Sequence, residues 1–100
     1  MIVVITESAE LDLIQIGEHI ARDNRVRAVS FVQELLDHCL KLGDMPRMYP
    51  LVPRYEHWGV RRCVHGDYLI FYRLREAAID IVHILHGAQD FEAIMFPDGK

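Results

Sequence analysis

The stretch Trp58 to Asp90, WGVRRCVHGDYLIFYRLREAAIDIVHILHGAQD, decides the fold. Three runs rich in β-branched and aromatic residues, Val60 to His65, Tyr68 to Leu74 and Ile79 to Leu85, are separated by His65-Gly66-Asp67 and by Arg75-Glu76-Ala77-Ala78. Links of that length predict hairpins, so the three runs spell an antiparallel meander. Along the middle run Tyr68, Ile70, Tyr72 and Leu74 share one face and Leu69, Phe71 and Arg73 the other. Along the last run Ile79, Ile81, His83 and Leu85 alternate with Asp80, Val82, Ile84 and His86. Both faces of the meander are largely apolar, and both need cover.

Working outward toward the N-terminus, Ile2 to Ile5 is apolar at every position, which predicts a strand inside the sheet rather than at its edge. Thr6 or Ser8 can cap the helix that follows. There Ala9, Leu13, Ile16, Gly17 and Ile20 fall on one stripe, with Asp12, Gln15, His19 and Arg22 opposite and Leu11 off the stripe. Asp23-Asn24-Arg25 is a polar break. Asn24 is placed to cap a second helix running to about Leu42, with the stripe Ala28, Val29, Val32, Leu35, Leu36, Cys39 and Leu40. Gly43 stands where a C-capping glycine is expected. So short a link between helices predicts an antiparallel hairpin, which can cover one face of the sheet. The other face is left to the segment Phe91 to Phe96, to another chain, or to both. Asp44 to Trp58 holds Pro46, Pro50 and Pro53 without a clear period and reads as an ordered loop crossing to the sheet. The expectation is an α+β fold of order β-α-α-β-β-β: an N-terminal strand, a two-helix antiparallel hairpin and a three-stranded antiparallel meander, forming a single domain over residues 1–100.

Composition narrows the function. The net charge is −4 but uneven: residues 1–44 carry 4 positive and 8 negative side chains, residues 45–75 carry 6 and 2, and residues 76–100 carry 1 and 5. A chain acidic overall is not built to hold a polynucleotide through a broad field of phosphate contacts. The apolar run Ile2 to Ile5 stops at Thr6-Glu7, too soon for a signal peptide or a membrane span, so a cytoplasmic protein is expected. Cys39 and Cys63 lack the spacing of a metal site or a disulfide framework and read as core residues. His57, His65 and His86 show no metal-ligand spacing, and neither a metal nor any other cofactor is expected. His83, between apolar neighbours, is expected to be a hydrogen-bonded core histidine.

The first helix, with Ala9-x-x-Asp12-Leu13-x-x-Ile16-x-x-His19-Ile20, together with Pro46, Gly59-Val60-Arg61, Gly66-Asp67-Tyr68-Leu69-Ile70-Phe71-Tyr72-Arg73 and Ile81 to Asp90, resembles the ParE/RelE superfamily of toxins from type II toxin–antitoxin systems, in its ParE-like branch. The match spans nearly the whole chain. It departs at Asn24-Arg25, where Asn-Pro is common, and at Gln89, where an arginine is common. The resemblance implies a plasmid-stabilising, growth-inhibiting toxin that poisons DNA gyrase by protein contact, without turnover, and that forms a hetero-oligomer with a cognate ParD-like antitoxin. Target contact is then assigned to Arg61, Arg62, Arg73, His86 and Asp90. Antitoxin contact is assigned to Leu11, Leu69, Phe71, Phe91 and Phe96. The alternative is a RelE-like, metal-independent endoribonuclease cutting ribosome-bound mRNA, for which Arg61 and Arg73 would clamp phosphate and His86 would act as acid or base. A third reading is a member that binds antitoxin without toxicity.

Overall fold

The computed structural model describes residues 1–97. Its elements run β1 (Ile2–Ile5), α1 (Glu7–Ala21), α2 (Arg25–Lys41), a 3-10 turn (Glu56–Trp58), β2 (Val60–His65), β3 (Tyr68–Leu74), β4 (Ala78–His86) and α3 (Phe91–Met95). The helix starts are set by side chains: Thr6 Oγ1 accepts from the Ala9 N–H, and Asn24 Oδ1 from the Arg27 N–H. The four strands lie in the order β1-β4-β3-β2. β1 runs parallel to β4, and the other two pairs are antiparallel. A parallel pair needs a long crossover, which the α1–α2 hairpin supplies.

The interior position expected for β1 is wrong: it is an edge strand, with Ile2 70% and Val4 37% exposed. Its outer pleat is simply left apolar, because the helical hairpin lies over the opposite face. The expected alternation along β4 also fails past its middle. Tyr72 pairs with Ile81 and Phe71 with His83, so Val82 is an extra residue in a bulge. The bulge turns Ile84 toward the helices beside Ile79 and Ile81, and sends Leu85 to the opposite face.

Two cores result. Between sheet and helices pack Ala9, Leu13, Leu35, Cys39, Cys63, Ile70, Tyr72 and Ile81, with the cysteines free and fully buried. Beneath the sheet lies a second cluster of Val52, Tyr55, Val60, Phe71, Leu85 and Phe96. Here the chain covers its own second face, with the crossing segment and the C-terminal α3 together. Tyr55 stacks on Phe96 at a centroid distance of 4.0 Å and 3° between planes. Each large side chain so buried contributes roughly 1.5–3 kcal/mol. Gly43 is not a left-handed cap; its role is space, since a Cβ there would stand 2.5 Å from the Met1 carbonyl oxygen.

Candidate partner-binding surfaces

Of the three arginines expected to act together, Arg62 and Arg73 share one sheet face and Arg61 lies on the opposite one. Arg61 pairs with Tyr72 on the helical side of the sheet and donates to the Tyr49 carbonyl at 2.7 Å, so it fastens the crossing segment. Arg62 and Arg73 lie on the other face, in register with Phe71 and Val60. The Arg62 guanidinium rests 5.5 Å from the Phe91 ring centre, and Arg73 is exposed. His86 pairs with Tyr68, five residues along β3 from Arg73, a separation of roughly 17 Å at about 3.3 Å per residue. Its Nδ1 accepts from the Ala88 N–H, and Asp90 caps α3 through the Ala93 N–H. Arg61, Arg73 and His86 therefore do not converge on one phosphate in this conformation.

The residues expected to contact an antitoxin lie mostly inside the chain's own packing. Phe71 and Phe96 are 0% and 2% exposed, and Leu69 and Phe91 pack against them in the second core. They close the middle of the sheet face, while Val64, in register with Leu69, stays 63% exposed toward its rim. Leu11 alone of that set is well exposed, at 53%.

Besides the outer pleat of β1, Val64 and the loop methionines Met45 and Met48, a group of exposed apolar side chains lies on the helical hairpin. Val29 and Leu40, expected on the buried stripe, point outward at 74% and 57% exposure, as does Ile14 at 57%. Leu13, Ile14, Gly17, Ala21, Val29 and Val32 line a shallow groove of about 550 Å³ between α1 and α2, with Glu18, Arg25 and Gln33 at its rim. Gly17 lets the helices approach: a Cβ on it would already touch Val32 at 3.4 Å. Val29 and Leu40 were expected inside because the apolar stripe of α2 is wider than the contact α1 and the sheet make with it.

A second recess, of about 390 Å³, opens where β4 runs past the end of β1, lined by Asp12, Gln15, His19, Tyr68, His86 and Gln89 among others. The free strand edge is closed by side chains. Asp12 Oδ2 accepts from the Ile84 N–H at 2.8 Å and lies 2.7 Å from His83 Nδ1, and Gln89 Oε1 accepts from the His86 N–H at 2.8 Å. Asp12 thus faces the sheet and not solvent, and the hydrogen bond expected of His83 is present. Among the described residues no helix is long and apolar enough to cross a membrane.

Comparison with known proteins agrees with this architecture. A solved structure described as "Chromosomal ParDE TA system from P. aeruginosa" superposes with a TM-score of 0.72 at 22% identity, over 86% of this chain and 95% of that one. None of the curated proteins compared matches. The sequence pattern of the family described as "ParE toxin of type II toxin-antitoxin system, parDE" matches residues 3–91. Nearly the entire described fold lies within that match, and the chain belongs to the ParE toxin family.

Proposed function

We propose that this ParE-type toxin acts by stoichiometric contact with DNA gyrase, and that a ParD-like antitoxin silences it by laying the apolar face of a helix into the α1–α2 groove. The observation that carries the antitoxin half is the groove itself. Exposed Ile14 and Val29 flank a cleft floored by Leu13, Gly17 and Val32, a shape suited to anchors spaced at helical intervals. Contact rather than cleavage is favoured because Arg61 is engaged in holding the crossing segment and His86 lies at the far end of the sheet from Arg73. Membership of the ParE toxin family supports gyrase as the target, and exposed Arg73 with the turn from His86 to Asp90 are the residues offered for that contact.

Purified protein added to a gyrase supercoiling reaction and to a translation extract separates the readings. Loss of supercoiling with reporter mRNA intact is the expected result. mRNA cleavage that disappears in His86→Ala would overturn the proposal in favour of a ribonuclease. Inactivity in both assays, with antitoxin binding retained, would overturn the gyrase assignment and leave a binding-only member.

A further inference from the structure

Two imidazoles from distant parts of the chain meet outside the surfaces just described. His38 lies on α2 and His65 ends β2, and their Nδ1 atoms stand 2.8 Å apart. Both rings are held by neighbours: His65 lies edge-on to Phe31 with centroids 5.6 Å apart, and His38 edge-on to Tyr49 at 6.3 Å. The remaining nitrogen of His38, Nε2, is 3.9 Å from the sulfur of buried Cys63. In the tautomer with Nε2–H directed at the sulfur, the Nδ1 lone pair of His38 faces His65. His65 then donates its Nδ1–H across the gap. An open recess beside the pair is lined by Glu34, Asp37 and Lys41.

We propose that His38 and His65 form a binding site for a borderline divalent transition-metal ion, typified by Zn²⁺, which takes the place of the single proton between their Nδ1 atoms and ties α2 to the end of β2. The reach is right. Two imidazole nitrogens each about 2.0–2.1 Å from a tetrahedral zinc are roughly 3.3 Å apart, so from a head-on 2.8 Å, with ring centres 5.1 Å apart, the rings need to part by about half an ångström and both tilt toward the recess. The protons balance within His65, whose Nδ1–H is lost to water while its Nε2 gains one. Both rings stay neutral and each supplies one lone pair. The Nε2–H of His38 on Cys63 is the kind of outer contact that fixes a ligand's tautomer. Among the described residues no three His, Cys, Asp or Glu side chains converge as a ready cluster. The ion therefore has two protein ligands with water completing its shell, since Glu34 is held by Arg27 and Asp37 accepts from Gln33, and it exchanges more readily than a structural zinc. Lys41 opposes it, but on a flexible stem that can turn to solvent. The inference stands on this geometry and is independent of the gyrase reading.

Calorimetric titration of the full, tag-free chain with zinc chloride tests it, beside His38→Gln, His65→Gln and the control His57→Gln. One zinc per chain is expected, with a rise in Tm. Each of the two site variants is expected to weaken binding by roughly a hundredfold or more, since even an outer-shell change costs 10–100-fold. His57→Gln should bind as the parent does. Should His38→Gln fail to fold, His65→Gln decides alone, with its circular dichroism confirming the fold. Absence of zinc binding, or binding that survives His65→Gln and so resides on another histidine or the amino terminus, overturns the proposal.

Discussion

Asp12 joins more of the molecule than any charged residue expected from the sequence to matter. One carboxylate oxygen takes both the Ile84 N–H and the His83 ring, closing a strand edge that β1 is too short to reach. Asp12→Ala is expected to cost about 1–3 kcal/mol, the penalty for stranding a half-buried donor, whereas Asp12→Asn keeps an acceptor and loses less. Urea midpoints of the two variants check the order. The helical period alone assigned Asp12 to the solvent side, because a period gives an angle around α1 and not what lies across from it. The cysteines show the reverse: their apolar settings were legible, and both are buried. Burial pushes the Cys39 thiol up to about 12 and the Cys63 thiol up to about 11. The thiolate is the reactive form, so brief exposure of native protein to iodoacetamide near about pH 8 should leave both unmodified, and unfolding should expose both. Rapid labelling of the native chain would contradict their placement.

At the scale of elements, strand and helix existence was readable because periodicity and capping residues agreed from Thr6 to Leu85. Two features were not. A bulge at Val82 leaves no mark in a run as uniformly apolar as Ile81 to Leu85, yet it exchanges the faces of Ile84 and Leu85. The edge position of β1 was hidden for a related reason: four β-branched residues in a row look the same whether one pleat or both are covered. The second face of the sheet was open to two readings, and the chain itself resolves them through α3 and the crossing segment. Phe96→Ala is expected to remove about 3–5 kcal/mol, as for other buried aromatics, by emptying the slot between Tyr55 and Trp58. A thermal melt unchanged by that substitution would mean that Phe96 does not seal the face.

For the whole molecule, closing most of the sheet from below leaves the apolar groove of the helical hairpin as the open surface shaped for a partner helix. The candidate site was therefore only partly legible: Leu11 was singled out and Ile14 was not, while Val29 was read as core, since an apolar residue on a helix stripe is read so unless the number of layers is known. Val29→Asp, at a position 74% exposed, is expected to change stability by no more than about 0.5 kcal/mol while weakening antitoxin binding at least roughly tenfold. Parallel melts and binding titrations read the two effects separately. The most direct test of the groove is hydrogen exchange followed residue by residue on the chain alone and with its cognate antitoxin. Slowed exchange concentrated in residues 11–33 of α1 and α2, with residues 91–96 unchanged, is the predicted result. Slowed exchange in residues 91–96 and along β3, with the hairpin unaffected, would contradict it.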